Sequence, residues 1–170
     1  MKETSLLQEE KQFFMNEAIK EAHKALELDE VPIGAVVVLD KQIIGRGHNI
    51  RESTQNALKH AEMIAIEEAC SHVGSWRLEN AQLFVTLEPC PMCSGAVLQS
   101  RVEEVYFGAF DPKAGSCGSL MNLLEDTRFN HWCYVEAKVL EEPCAALLRD
   151  FFKKIRARKK QKKKEISAKH

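Results

Sequence analysis

Two short segments hold the side chains best suited to chemistry. Pro89-Cys90-Pro91-Met92-Cys93 follows an apolar run that reads as a strand, and it opens a helix. Pro91 suits the first helical turn, where its missing N–H costs nothing. Cysteines three apart at that point face the same way. The partial positive charge of a helix N-terminus favours thiolate over thiol. A second helix opens at His60-Ala61-Glu62. One imidazole and two thiolates make three ligands for a zinc ion. Structural zinc sites normally close with four protein ligands. Three leave a position for water, whose pKa zinc lowers to about 7. Glu62, two residues beyond His60, can face that water without being a ligand. That placement suits a general base that later acts as an acid.

Each piece also has a plainer reading. A Cys-x-x-Cys at a helix start fits a thiol–disulfide pair, and the His-Ala-Glu segment is what turns the balance toward metal. His60 alone reads as an ordinary histidine, and Glu62 alone as a carboxylate favoured by the helix dipole. A closed structural zinc site would need a fourth ligand, for which His48 or Cys117 are the candidates. Of the other cysteines, Cys70 and Cys144 sit in apolar helical patterns and read as small core residues. Cys117 and Cys133 have no nearby partner in sequence.

The elements that must position these groups follow from periodicity. Residues 5–28 carry helical spacing at Phe14, Ala18, Ala22, Ala25 and Leu26, with Thr4 or Ser5 able to cap the start. Residues 33–39 form a continuous β-branched run and 42–48 a second strand, so the two predict a hairpin. The polar stretch 51–59 reads as a loop. Helices follow at 60–72 and 91–99, and strands at 82–86 and 102–108. A loop at 109–119, a short helix at 120–125 and a fifth strand at 132–140 come next. A charged helix at 143–164 ends the pattern. Strand–helix–strand units demand parallel pairing with helices covering the sheet. The predicted fold class is α/β, a three-layer α/β/α arrangement around a five-stranded mixed sheet.

A chain of 170 residues with a hydrophobic fraction of 45% fits one domain with a real core. The N-terminus shows no signal or transit pattern, and no segment is apolar enough to span a membrane, so a cytoplasmic location is expected. The net charge of −1 hides an asymmetry. Residues 149–170 hold eleven Lys or Arg against two acidic residues, which leaves thirteen basic and twenty-three acidic, a balance of −10, in 1–148. Such a tail suggests an anionic partner, nucleic acid or membrane surface, and equally fits a solvated terminus.

Together, His60-Ala61-Glu62 and Pro89-Cys90-Pro91-Met92-Cys93 resemble the signature of the zinc-dependent nucleobase deaminases, the cytidine-deaminase-like superfamily. The segments Val31–Val36, Gly47-His48-Asn49, Thr86–Cys90, Ser100-Arg101-Val102, Phe107–Lys113 and Gly118–Asn122 are similar to those of the bacterial tRNA-specific adenosine deaminases, over about residues 8–155. One stretch departs from the family pattern. Asn56-Ala57-Leu58-Lys59 stands where the family often has Asp-Pro and then a small residue before the histidine.

The resemblance implies a zinc-dependent deaminase domain over 1–155 and a basic C-terminal tail over 156–170. It implies a hydrolase acting on the amidine C–N bond of a wobble adenosine, giving inosine by RNA editing. Zn2+, one per subunit, is held by His60, Cys90 and Cys93, and Glu62 moves protons between water, N1 of the base and the leaving ammonia. Asn49 hydrogen-bonds the base, Val31 and Pro32 line its pocket, and Asp111 and Lys113 meet RNA. The partners implied are a tRNA anticodon stem-loop, arginine tRNA first among candidates, and a second copy of the chain in a homodimer. Two alternatives stay beside this reading: a deaminase of a free base or nucleoside of guanine or cytosine type, and a non-catalytic RNA-binding module on the same fold.

Overall fold

The computed structural model describes residues 2–170, and its layering follows from alternation along the apolar strands. The elements are α1 (Gln8–Glu27), β1 (Gly34–Leu39), β2 (Gln42–His48), α2 (Arg51–Thr54), α3 (Ala61–Val73), β3 (Gln82–Leu87), α4 (Pro91–Ser100), β4 (Glu104–Ala109), β5 (Tyr134–Glu136) and α5 (Glu141–Ala168). The sheet order is β2-β1-β3-β4-β5. β1 pairs antiparallel with both β2 and β3, whereas β3–β4 and β4–β5 are parallel. The predicted five-stranded mixed sheet is present.

Period-two alternation sends each central strand's side chains to opposite faces. Ala35, Val37, Leu83, Val85, Val105 and Phe107 enter one core with α3 and α4. Val36, Val38, Phe84 and Tyr106 enter the other with α1 and with Cys144 of α5. Both faces are therefore dry, which is why these strands read as continuous apolar runs. The Phe84 and Tyr106 rings stack at 4.7 Å across β3 and β4.

Four local expectations change. Residues 120–125 are not helical: Gly118 N–H donates to the Met121 carbonyl, Leu123 N–H to that of Ser116, and Cys117 and Asn122 form an isolated bridge. The fifth strand is only Tyr134–Glu136, because flanking groups bond outside the ladder, Cys133 N–H to Leu124 and Val139 N–H to Phe107. Within the polar 51–59 stretch, Arg51–Thr54 forms one helical turn. At the start of the chain, α1 begins after Leu7 without a side-chain cap. Thr4 Oγ1 instead lies 2.6 Å from the Tyr106 hydroxyl, and Ser5 Oγ donates to Glu104.

Two glycines on β2 set the height of α3. A Cβ on Gly47 would collide with the Ala61 carbonyl oxygen and come within 2.7 Å of the Ala65 nitrogen, and one on Gly45 would strike the Ala65 carbonyl. The helix therefore lies directly on bare backbone. Gly47→Ala is expected to lower stability by about 2 kcal/mol, because overpacked backbone must shift. Urea denaturation checks this, and an unchanged midpoint would show that α3 is free to move.

Candidate metal centre and active-site cavity

Two helices aim their N-termini at one point. His60 is the N-cap of α3 and Cys90 the N-cap of α4, with Pro91 opening the helix. An N-cap side chain commonly accepts a backbone N–H of its own helix. Neither does so here. Their side chains turn toward each other across the gap between the helices. His60 Nδ1 lies 3.6 Å from Cys90 Sγ and 3.5 Å from Cys93 Sγ. Among the described residues these three form a group whose ligand atoms all lie within 4.8 Å of one another.

These distances fit a zinc ion. Zn–S of about 2.3 Å and Zn–N of about 2.0–2.1 Å at a tetrahedral angle require N···S separations of about 3.5 Å. The donor set thus has the spacing of a bound tetrahedral centre, and its two thiols and imidazole suit zinc chemically. The three side chains are placed to hold one Zn2+ ion. The candidates for a fourth ligand are engaged elsewhere: His48 Nδ1 lies 3.4 Å from Glu21, and Cys117 Sγ lies 3.4 Å from Ser94 Oγ. The open fourth position marks a catalytic site rather than a structural one.

The electrostatics tie the three groups to one another. The Cys90 thiol is lowered to about 4, chiefly by a hydrogen bond from Cys93, with His60 adding to it. Cys93 moves up as the partner holding the proton. His60 is raised, first by its hydrogen bond with Cys90. Glu62, in the first turn of α3, is 4% exposed, and burial pushes its carboxyl up to about 7. A carboxyl held there can take and return a proton near neutral pH.

The group opens on a cavity of about 520 Å³. Val31, Asn49, Asp111 and Lys113 all line it with His60, Glu62 and Cys90. Pro32 is buried beside Val31 and lies outside the lining. Asn49 is 6% exposed and ties its own loop: Nδ2 donates to the Val31 carbonyl and Oδ1 accepts from Arg51 N–H. An amide offers two N–H groups and two lone pairs, so half its capacity is spent and half is left. Asp111 Oδ1 accepts from Lys113 N–H and Ala114 N–H, which shapes the loop. Among the described residues, no carboxylate lies within ion-pair distance of the Lys113 ammonium.

The lining also includes groups to which the sequence patterns gave no site role: Arg51, Glu88, Phe110, Leu148 and Phe152. In α5, Phe151 is buried at 6%, but Phe152 is 43% exposed and faces the cavity rather than the core. The four-residue spacing of Leu148 and Phe152, one helical face, was the available signal.

A family model for MafB19-like deaminases matches residues 9–156. The "tRNA-specific adenosine deaminase" of Bacillus subtilis is 58% identical over 156 residues, covering 92% of this chain and 97% of that protein. The chain belongs to the tRNA-specific adenosine deaminase family. A solved structure from a study of A-to-I editing by tRNA:A34 deaminases at the wobble position superposes with a TM-score of 0.77 at 40% identity, covering 80% of this chain and 99% of that one. The guanine deaminase of Bacillus subtilis superposes less fully, with a TM-score of 0.57 at 33% identity over 64% of this chain and 69% of its own. Family membership and the His/Cys/Cys group together make this a zinc-dependent hydrolase acting through activated water. Among the described residues, no helix is long and apolar enough to cross a membrane.

Proposed function

We propose that this chain hydrolyses the 6-amino group of adenosine at the wobble position of a tRNA anticodon, leaving inosine. One observation carries the reading: buried Glu62 sits beside the His60/Cys90/Cys93 group on a cavity sized for a nucleobase, in a chain that is 58% identical to a tRNA-specific adenosine deaminase. When bound, zinc supplies a water acidic enough to lose a proton near pH 7. Glu62 takes that proton and hands it to N1 of the adenine. The C6–O bond forms, Glu62 takes the remaining proton of the new C6 hydroxyl and passes it to the amine, and the C6–N6 bond breaks as ammonia leaves. Asn49 spends its remaining hydrogen-bonding capacity on the base, which Val31 flanks. An anticodon loop presents its bases unpaired, so little unstacking energy opposes entry.

The rim suits RNA rather than a free base. Arg51 and Lys113 bring cations, Asp111 shapes the loop that holds Lys113, and exposed Phe110 and Phe152 offer stacking faces. Helix α5 leaves the cavity at Phe152, and nine of the twelve residues from Lys153 to Lys164 are lysine or arginine. We assign residues 1–155 to the deaminase domain and 156–170 to the basic extension, with the anticodon stem-loop, arginine tRNA first, as partner. A second copy covers apolar surface such as the adjacent Leu120 and Met121, which are 59% and 46% exposed, and a tRNA substrate supports a cytoplasmic location.

The test is incubation of the zinc-loaded protein with an arginine tRNA transcript bearing A at the wobble position, followed by sequencing for inosine. Conversion is expected. No conversion, with turnover of free guanine or cytosine instead, overturns the reading. Binding to the same transcript is expected to weaken steeply with salt, and ending the chain after Ile155 is expected to flatten the log–log slope by about 2 or more.

A further inference from the structure

We propose that Glu88 is a positioning residue, whose carboxylate fixes the 110–119 loop against the zinc-ligand segment in the shape that meets RNA. The proposal rests on the reading above for the loop's role, but not for its anchoring.

Glu88 is 2% exposed at the end of β3, two residues before Cys90. It belongs to none of the ion pairs among the described residues. Four donors from the loop supply its hydrogen bonds instead. Oε1 accepts from Asp111 N–H at 3.0 Å and from Ser119 Oγ at 2.5 Å. Oε2 accepts from Cys117 N–H at 3.0 Å and Ser119 N–H at 3.1 Å. Charge-assisted bonds of this kind are the strong ones, and a buried carboxylate left without them is costly. The two ends of the loop therefore have one common acceptor.

The backbone around Glu88 continues the weld. Glu88 N–H donates to the Ala109 carbonyl, and both Ser116 N–H and Ser116 Oγ donate to that of Pro89. Glycine at 115 is what lets the loop lie so close, since a Cβ there would overlap the Glu88 carboxylate itself. Between the anchored ends stands the part that faces the cavity, Phe110 to Ala114, with Lys113 among it. A side chain that contacts the reacting base acts on kcat. One that shapes the loop meeting the rest of the RNA acts first on KM.

Glu88→Gln keeps the size but turns one acceptor oxygen into a donor, facing N–H groups that have nowhere else to bond. Hydrogen exchange, zinc content and tRNA kinetics are measured on the same zinc-loaded protein. The expected results are loss of protection at the Asp111, Cys117 and Ser119 amides, zinc at one per chain, KM for tRNA up about 10-fold and kcat within about 3-fold. Ser119→Ala removes one donor from a partly exposed position, and is expected to raise KM about 3-fold even if the Gln variant does not fold. Unchanged amide protection overturns the anchoring. Lost protection with unchanged KM, or a collapse of kcat with loss of zinc, overturns the positioning role. If wild-type protein makes no inosine, the functional reading fails by itself, and the exchange data still decide whether Glu88 anchors the loop.

Discussion

Glu62→Ala is expected to lower turnover of tRNA by about 10³-fold while zinc stays at one per chain. The argument is geometric. Glu62 lies in the first turn of α3, two residues past the imidazole that helps to hold the metal, and it is outside the ligand group of His60, Cys90 and Cys93. Removing it takes away, among the described residues, the buried carboxylate at the cavity that is free to act beside that group, Glu88 being committed to its loop. General acid–base groups contribute about 10²–10⁴. Glu62 serves twice in one cycle, as base toward water and as acid toward the base and leaving amine. Glu62→Gln is expected to be as inactive as alanine, since an amide keeps the shape and cannot carry the proton. Metal analysis beside the kinetics separates the roles: a Glu62→Ala protein that has lost zinc would make the carboxylate a ligand.

Cys90→Ala is expected to abolish both zinc binding and turnover while leaving the fold standing. The two cores are built from strand and helix side chains on either side of the sheet, and neither draws on the Cys90 thiol. Two remaining donors are too few for a tetrahedral site. The wild-type protein gains stability from zinc in proportion to ln(1 + [Zn]/Kd), and the variant gains none. The difference is expected at about 5–10 °C in the melting temperature with zinc present. Far-ultraviolet circular dichroism should overlay. Chelation of the wild type should reproduce the variant, and added zinc should restore only the wild type. A Cys90→Ala protein that still binds one zinc would place the metal elsewhere.

The layering and the metal ligands were legible because each depends on short-range pattern. Val36 and Val38 against Ala35 and Val37 announce a strand buried on both faces. His60 and the Cys90–Cys93 pair announce themselves by residue type at helix starts. Features that depend on long-range partners were not legible. Arg51–Thr54 has no buried side chain, so no periodicity marks it, and its turn is held by the distant Glu30, which accepts from Ser53 Oγ at 2.7 Å. The apolar run from Trp132 to Leu140 overstated β5, since the Cys133 and Val139 N–H groups on either side of it find partners outside the ladder, which the run's own composition does not reveal. The anchoring role of Glu88 was not legible because its four donors lie 23 to 31 residues away.

Helix α5 begins beside the sheet, passes the cavity at Leu148 and Phe152, and runs on to Ala168. At about 100° per residue, its lysines and arginines from 153 to 164 point in every direction around the axis. Among the described residues, Arg158 alone of these is ion-paired to the body, to the Asp29 carboxylate at 2.8 Å. The helix end is therefore a polyelectrolyte rod with no preferred side. Such a rod attracts an RNA backbone without fixing its rotation or its sequence. On the function proposed above, it raises the local concentration of every tRNA alike, cognate or not, and leaves discrimination to the far end, where one base must fit one cavity.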